Sequence, residues 1–317
     1  MNISYSRVAL YRKCPYAHYL RYVACLKKKA KARPLYFGTD FHKLLENRTS
    51  KKKYLKAKAE IEQAYDELDF NDRSMLGDNY LEDLFTIFSD YRKTWKGTEK
   101  PIVTEQEFEL PMFTDKHGEV HNFIGVIDEL YEGYTMIGEH KTFSMKPNNL
   151  TMTMNVQSML YAKAVQEMYG VIPTKIRWDY IKSEPSSYPV YLKGKRLSTA
   201  KSSSITPYSW ERACKEYGCE DQLNLKDTWQ GNISNFFFRL DVVISQDMVQ
   251  QIWEEFVMTA KEIVKRQEKN KVRNVTRDCS FCDYKDICKA QFTGGNADYI
   301  IEKDFECTKK KESPSSK

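Results

Sequence analysis

Short runs of β-prone residues alternate along this chain with longer stretches in which apolar residues recur at helical spacing. The short runs predict strands over residues 102–113, 123–131, 134–142, 175–181 and 236–244. The longer stretches predict helices over residues 4–22, from residue 38 onward, through much of 50–100, and over 152–169 and 246–267. Glu132 and Gly133 lie between two of the predicted strands, and a Glu-Gly pair in that position predicts a hairpin turn.

The predicted hairpin carries two acids and a lysine. Asp128 lies on its first strand, and Glu139 and Lys141 lie on its second. Residues two apart on a strand point to the same face, so Glu139 and Lys141 would share a face, with Asp128 brought beside them by pairing of the strands. An acid and a lysine two residues apart on a strand more often lie on a solvent-exposed strand edge than in a functional site. The Asp128 partner favours a site for a divalent cation and a polarised water instead.

Length, composition and charge limit the class of protein. A chain of 317 residues with 41% hydrophobic residues can bury a sizeable core, and its net charge of +6 is compatible with a nucleic-acid groove. The sequence shows no apolar stretch long enough to span a bilayer and no signal peptide. It therefore predicts a soluble, intracellular protein of the cytoplasm with no membrane partner. The charged tail over residues 308–317 is predicted to be disordered.

Eight cysteines in an intracellular protein indicate metal or cluster ligation rather than disulfides. Cys279, Cys282 and Cys288 have C-x2-C-x5-C spacing, which is typical of a soft-metal centre. Cys14 precedes Pro15 at a predicted helix junction and is the candidate fourth ligand. Four thiolates suit zinc or a cubane iron–sulfur cluster, and three close ligands with one remote ligand favour the cluster. No role is assigned to the other four cysteines: Cys25, Cys214, Cys219 and Cys307.

Two further patterns are weak when each is taken alone. Thr39 is a candidate N-cap for a helix that would carry His42 in its first turn. A lone histidine is more often an ordinary surface or core residue than a ligand. Gln157 and Tyr161 are four residues apart and would share a helix face, where plain packing is an equally good interpretation.

Taken in order, these motifs resemble the PD-(D/E)XK nuclease superfamily, in its RecB-like branch with an iron–sulfur cluster. That branch includes the nuclease domain of AddB, CRISPR-associated RecB-like exonucleases and phage exonucleases. The resemblance is carried by six motifs: Cys14-Pro15, Gly38-x3-His42, Gly125-x2-Asp128, Glu139-x-Lys141, Gln157-x3-Tyr161 and Cys279-x2-Cys282-x5-Cys288.

The resemblance implies an α/β (α+β), restriction-endonuclease-like fold, with a central mixed sheet flanked by helices. A helical N-terminal part and a C-terminal cluster region would complete it. A single nuclease domain would cover residues 1–307, with a helical insertion at about 50–100 and a polar insertion at about 183–235. The cluster region would comprise residue 14 and residues 279–288, binding a 4Fe-4S cluster.

The resemblance also implies a role for each residue of the site. The catalytic Mg2+ or Mn2+ would be bound by four residues: His42, Asp128, Glu139 and, through its backbone carbonyl, His140. Lys141 would orient or activate the attacking water, and Gln157 and Tyr161 would steady the site and contact DNA. Hard oxygen ligands with one imidazole suit these metals, which neutralise phosphate charge and lower the pKa of water.

The implied function is a metal-dependent DNA exonuclease that acts on single-stranded or end-bearing duplex DNA in recombination, repair, or phage or CRISPR DNA processing. The chain has no G-x4-G-K-[ST] loop, so it would work without ATP or beside a helicase or recombination partner, in a bacterial or phage-infected cell. Two alternatives stay open. One is a DNA-binding scaffold subunit without catalysis, which the intact Asp128, Glu139 and Lys141 disfavour. The other is a zinc-stabilised nucleic-acid module.

Overall fold

A computed structural model of the protein describes residues 1–29, 32–266 and 269–307. The tail over residues 308–317, predicted to be disordered, lies outside the described residues. The chain forms two compact units. The first comprises Met1–Lys31, Glu107–Val126 and Gln246–Lys317, and the second comprises Ala32–Gln106 and Ile127–Ser245. That residues 1–307 act as one nuclease domain stays a prediction.

The helices and strands follow one another along the whole described chain. The helices are α1 (Tyr5–Lys13), α2 (Pro15–His18), α3 (Arg33–Glu46), α4 (Lys51–Asp66), α5 (Phe70–Leu76), α6 (Tyr80–Thr94), α7 (Asn149–Thr153), α8 (Val156–Tyr169), α9 (Pro207–Glu216), α10 (Gln246–Arg266), α11 (Lys285–Thr293) and α12 (Ala297–Asp304). The strands are β1 (Asn2–Ser4), β2 (Leu26–Lys28), β3 (Val103–Thr114), β4 (Val120–Leu130), β5 (Met136–Phe143), β6 (Lys175–Lys182), β7 (Tyr191–Leu192), β8 (Arg196–Leu197), β9 (Phe237–Val243) and β10 (Phe305–Cys307).

The second unit is built on a mixed sheet with β5 in its interior. The end of β4 pairs antiparallel with β5, β5 pairs parallel with β6, and β6 pairs antiparallel with β9. Helices α3 and α8 both contact β5. The first five residues of β5 are all buried, as expected of an interior strand covered by helices. The prediction of a mixed sheet flanked by helices is confirmed.

The predicted hairpin forms between β4 and β5. Its turn is a short 3-10 segment, Glu132–Tyr134, and Gly133 has a φ of +70°, a left-handed conformation that glycine adopts without steric cost. Glu129 lies opposite Gly138 and Leu130 opposite Ile137 in the antiparallel pairing. The hairpin prediction is therefore confirmed, and the pairing fixes the register of the acidic residues.

The segment over residues 50–100 supplies α4, α5 and α6, which pack with α3. Apolar side chains of α6 recur every three or four residues and are buried against Phe37 and Phe41 of α3. The members of this α6 stripe are Tyr80, Leu84, Ile87, Phe88 and Tyr91. This stripe is therefore a packing face.

Two predicted helix boundaries are wrong. Helix α3 begins at Arg33, because the φ angle of Pro34 in its first turn is already suited to a helix start. Thr39 is therefore an interior residue of the helix, and its Oγ1 donates to the carbonyl of Leu35. The helix predicted over 152–169 is two helices, α7 and α8. Asn155 separates them because its side chain caps α8 by accepting from the N–H of Ser158.

The polar insertion over residues 183–235 has a small core of its own. It contains β7, β8, α9 and a 3-10 segment, Glu220–Asn235, packed around Trp210 and Trp229. Cys214 and Cys219 are buried in this core. Both thiols pack among apolar side chains, where free cysteine behaves as a small hydrophobic residue.

The first unit contains α1, α2, α10, α11 and α12. The predicted interruption at Cys14 is confirmed, because Cys14 has extended backbone angles between α1 and α2, where Pro15 starts the next helix. An apolar cluster around Leu20, Tyr284 and Phe305 joins the N-terminal and C-terminal segments of this unit. Across the described chain, no helix combines the length and the apolar character that crossing a membrane requires.

Candidate active site

The hairpin brings three of the predicted residues together. The antiparallel pairing reaches Glu129 and Gly138, and Asp128 and Glu139 are the residues that directly adjoin this pair on the two strands. The backbone N–H of His140 donates to Oδ2 of Asp128 at 2.8 Å, and Nζ of Lys141 donates to Oε2 of Glu139 at 3.2 Å. The two carboxylates and the lysine therefore share one face at the end of the hairpin.

Glu139 is the most enclosed group of this site. Its side chain is 1% exposed, and its Oε1 is buried without a hydrogen-bond partner among the described residues. Burial and the nearby Asp128 carboxylate raise the pKa of Glu139 to about 8, against the opposing effect of Lys141. A buried carboxylate oxygen that lacks a partner fits a site whose missing partner is a cation.

His42 and one acid that the sequence did not single out complete the cluster. Nδ1 of His42 is 3.8 Å from Oδ1 of Asp128 and 3.9 Å from Oε1 of Glu105. One ligand atom from each of the three residues lies within 4.8 Å of the others. Two carboxylates and one imidazole form a donor set that suits Mg2+ or Mn2+, and Glu139 is not one of the three residues within this distance.

Glu105 was missed because it belongs to an alternating acidic run in β3 that is typical of a solvated strand face. Its backbone has a φ of +50°, in the left-handed region that residues other than glycine rarely adopt. Such strain concentrates at functional sites, and the strand sequence gives no sign of it.

Gln157 and Tyr161 lie on α8, the helix that contacts β5. Nε2 of Gln157 donates to the hydroxyl of Tyr161 at 2.8 Å. The predicted sharing of one helix face is thus observed, and the pair forms a polar unit on this helix. Contact of the pair with DNA stays a prediction.

The PD-(D/E)XK nuclease superfamily model matches residues 2–289. This chain belongs to that superfamily. The match confirms the resemblance to the superfamily and makes the protein a nuclease, whereas the RecB-like branch with an iron–sulfur cluster stays a prediction. No curated protein matches the sequence.

Two solved structures resemble the nuclease only loosely. A protein from Eubacterium rectale with the provisional name exonuclease has 10% sequence identity and a TM-score of 0.46, and the alignment covers 90% of this chain and 87% of that one. A protein named SSO0001 has 11% identity and a TM-score of 0.31, with 81% and 95% of the two chains covered. Family membership rests on the superfamily match and not on these neighbours.

The imidazole of His140 in this nuclease points away from Glu139 and Lys141, because successive residues of a strand face opposite sides. Its Nε2 is 3.0 Å from Oε1 of Glu129, and its Nδ1 is 3.6 Å from Oδ2 of Asp179. Burial lowers the pKa of His140, but these two carboxylates outweigh burial and raise the pKa to about 9. The two carboxylates thus favour the protonated side chain, and the role predicted for His140 concerns its backbone carbonyl alone.

Each of these two carboxylates has further partners. Glu129 accepts from Nη2 of Arg48 and, at 2.7 Å, from the hydroxyl of Tyr131. Although burial opposes it, the charges of His140 and Arg48 hold the pKa of Glu129 well below its usual range. Motif reasoning missed this network, because its members are far apart in sequence and form no local pattern.

Asp179 forms the other half of the network. Its Oδ2 accepts from the hydroxyl of Tyr91 at 2.6 Å and from Nε and Nη2 of Arg239 at 3.1 and 3.0 Å. The two carboxylates that flank the His140 imidazole are therefore each paired with a guanidinium group. A paired, hydrogen-bonded arrangement is what allows so many charges to be buried.

The four predicted cluster ligands lie in the first unit. Cys14, Cys279, Cys282 and Cys288 line one cavity of about 560 Å³. Burial, together with neighbouring thiols, raises the pKa of Cys282 and of Cys288, and Arg273 acts in the opposite direction on Cys288. The structure thus brings the remote Cys14 to the three close cysteines.

Proposed function

We propose that this nuclease is a Mg2+- or Mn2+-dependent DNA exonuclease whose site is built on the β4–β5 hairpin. The observation that carries the proposal is the buried carboxylate of Glu139, whose Oε1 has no partner among the described residues, beside Lys141 and the Asp128 carboxylate. This arrangement supplies oxygen ligands for a metal on one side and an ammonium donor on the other.

The metal would be bound by carboxylate oxygens and one imidazole nitrogen: Glu105, Asp128, Glu139 and His42, with the carbonyl of His140 as a further ligand. When bound, it would neutralise charge on the scissile phosphate and lower the pKa of a water molecule. Glu139 must be ionised to bind a metal, and the cation replaces the partner that its Oε1 lacks.

Lys141 is the residue that would orient the attacking water. Its Nζ is held 3.2 Å from Oε2 of Glu139, so the ammonium lies next to the proposed ligand and can donate a hydrogen bond to a water or to a phosphate oxygen. About a third of its side chain is exposed, which leaves it accessible to substrate. Gln157 and Tyr161 would hold the DNA strand from α8.

Cutting from DNA ends is the finer part of the proposal. The helices α4, α5 and α6 pack into the core with α3, and the insertion after Lys182 has its own core. Both segments can therefore serve as rigid walls that narrow the approach to the hairpin. A narrow passage admits a strand by its end more readily than a closed circle. A helicase or recombination protein is a candidate partner for duplex substrates.

We further propose that Cys14, Cys279, Cys282 and Cys288 bind a 4Fe-4S cluster. All four line one cavity, and three close ligands with one remote ligand favour a cluster over zinc. The bound cluster would supply four iron–thiolate bonds that join the start of the unit to its last helices. Arg273, which lies against the ring of Tyr16 at 3.9 Å, adds positive charge beside the thiolates.

The deciding experiment compares linear with covalently closed circular single-stranded DNA, with Mg2+ or Mn2+ and without nucleotide. The proposal expects degradation of the linear strand alone, with a rate that falls as salt rises. Equal degradation of both substrates would make the enzyme an endonuclease. DNA binding without cleavage under all metal conditions would instead favour the scaffold subunit.

A further inference from the structure

We propose that the second unit contains a binding site for a phosphorylated nucleotide, in a cavity at the end of α6. The cavity has a volume of about 410 Å³. Its lining includes five cationic side chains and one tryptophan: Arg48, Arg92, Lys96, Lys100, Arg239 and Trp95. None of the proposed metal ligands lines this cavity. The proposal does not depend on the hydrolytic function of the hairpin.

The charge of the lining selects an anion. The only acidic side chain in it, Glu99, lies 3.4 Å from a guanidinium nitrogen of Arg177 and is already paired. Arg48 and Arg239 are paired with the buried carboxylates of the network. Over the described residues, by contrast, no carboxylate oxygen lies within 4.0 Å of a side-chain nitrogen of the other three cations: Arg92, Lys96 and Lys100. The cavity therefore has about three positive charges without a partner.

Trp95 supplies an aromatic side chain to the lining. Its indole Nε1 is buried and has no hydrogen-bond partner among the described residues. Tryptophan can only donate through this nitrogen, so the missing partner is an acceptor. The guanidinium of Arg239 lies over the indole ring at 4.1 Å and helps to hold it in place.

The size and surroundings of the cavity favour a nucleotide over a bare phosphate ion. Its volume lies in the range of pockets that enclose small organic ligands. An adjoining cavity of about 350 Å³ shares Arg92 and Lys96 with it and is lined in part by Tyr54 and Phe88. The cations would thus bind the phosphate group, and the partly exposed Tyr54 of the second cavity would contact the base or sugar.

The test measures binding to the full-length protein by calorimetry, with EDTA present so that no metal-dependent cleavage occurs. The probes are dAMP, deoxyadenosine, inorganic phosphate and a 5′-phosphorylated single-stranded oligonucleotide. We expect dAMP to bind more tightly than either deoxyadenosine or inorganic phosphate. Equal affinity for dAMP and deoxyadenosine, or for dAMP and inorganic phosphate, would overturn the proposal.

Variants locate the site. The double substitution Lys96→Ala with Lys100→Ala removes two unpaired cations and should weaken dAMP binding roughly tenfold or more. Lys52→Ala with Lys53→Ala removes the same charge from the exposed first turn of α4 and should leave dAMP binding unchanged. Equal losses in both double variants would show a non-specific charge effect and overturn the assignment.

Comparing the phosphorylated oligonucleotide with dAMP shows whether the site holds the end of a DNA strand or a free mononucleotide. If the phosphorylated oligonucleotide binds at least about tenfold more tightly than dAMP and competes with it, the site holds the end of a DNA strand. If the two bind alike, the site holds free mononucleotide. Trp95→Ala should lower the affinity for either ligand, because it removes the aromatic side chain from the lining. Unchanged affinity in that variant would contradict the role given to Trp95.

Discussion

The backbone N–H of His140 donates a hydrogen bond to Oδ2 of Asp128 at 2.8 Å. This bond joins β5 to a side chain of β4 at the point where the hairpin carries its acids. One carboxylate oxygen of Asp128 is thereby fixed by the main chain, and the other, Oδ1, is left 3.8 Å from Nδ1 of His42. The proposed ligand is held in place before any metal binds, which lowers the reorganisation that binding would need.

Lys141→Ala should reduce DNA cleavage by roughly a hundredfold or more while DNA binding stays largely intact. The substitution removes the donor beside Glu139 and leaves the carboxylates in place. End-labelled DNA in single-turnover assays measures cleavage, and fluorescence anisotropy measures binding. Lys146→Ala removes a nearby exposed lysine that lies over the ring of Phe238 and serves as the control. Cleavage by Lys141→Ala at the wild-type rate would show that the active-site assignment is wrong.

Asp128→Ala should abolish cleavage through loss of the metal. It removes a proposed ligand together with the acceptor for the N–H of His140. Titration calorimetry with Mn2+ should show much weaker binding than in the wild type. Glu132→Ala, an exposed acid in the turn of the same hairpin, is the matched control and should bind Mn2+ normally. The ligand role would be refuted by an Asp128→Ala variant with undiminished Mn2+ affinity.

Glu105→Gly should have opposite effects on stability and on metal binding. Glycine adopts the positive φ of this position without strain, so the free energy of unfolding should rise by about 1 kcal/mol. Affinity for Mn2+ should fall, because a carboxylate is lost. Glu107→Gly is the control. Glu107 lies two residues after the strained position in β3, in ordinary strand, where glycine destabilises the protein. Urea unfolding and calorimetry together measure both effects. A loss of stability in Glu105→Gly would contradict the strain argument.

The buried His18 predicts a pH dependence of stability. Burial, with a smaller contribution from the charge of Arg7, lowers the pKa of His18 to about 4, and its Nδ1 has no partner among the described residues. Nε2 of His18 accepts from Nε of Arg7 at 3.3 Å, and the rings of Tyr11 and Tyr22 pack against the imidazole. No acid is among these neighbours, so nothing in contact favours the protonated form.

The direction of this pH dependence follows from comparing the charge of His18 in the folded and unfolded chains. Above pH 6.5, His18 is neutral in both the folded and the unfolded chain, and its contribution to stability is fully present. Between pH 6.5 and 4 the unfolded chain binds a proton that the folded chain does not, so stability falls, by about 3 kcal/mol in total. Urea unfolding from pH 4 to 8 should show a shallower fall for His18→Gln. An identical slope in both proteins would rule out this contribution.

Cys282→Ala should give a colourless and poorly folded protein. By analogy with the chain entropy of a long disulfide loop, linking Cys14 to the C-terminal cysteines contributes on the order of 5 kcal/mol. Visible absorption of anaerobically purified protein and thermal unfolding are the measurements. Cys307→Ala changes an exposed cysteine and should keep both colour and stability. A well-folded, fully active Cys282→Ala variant would exclude a stabilising link between Cys14 and the C-terminal cysteines. A colourless wild-type protein would favour zinc over the cluster.

Short-range patterns in the sequence were enough to predict the hairpin, its three charged residues and the helix interruption at Cys14. Strand alternation, turn chemistry and the effect of proline act over a few residues, so they can be read directly from the chain. The same local rules placed Gln157 and Tyr161 on one helix face. They failed at the start of α3 and within the predicted 152–169 helix, where Pro34 and the Asn155 cap decide the boundaries.

Only the tertiary structure brought in Glu105, the carboxylates around His140, and the cations at the end of α6. Arg48 and Glu129 are 81 residues apart, and no spacing rule connects them. Their pairing depends on which strands are neighbours in the sheet and on which helix covers them. Burial then decides the chemistry, because the same carboxylate is an ordinary surface charge in water and a metal ligand or a fixed ion-pair partner in the interior.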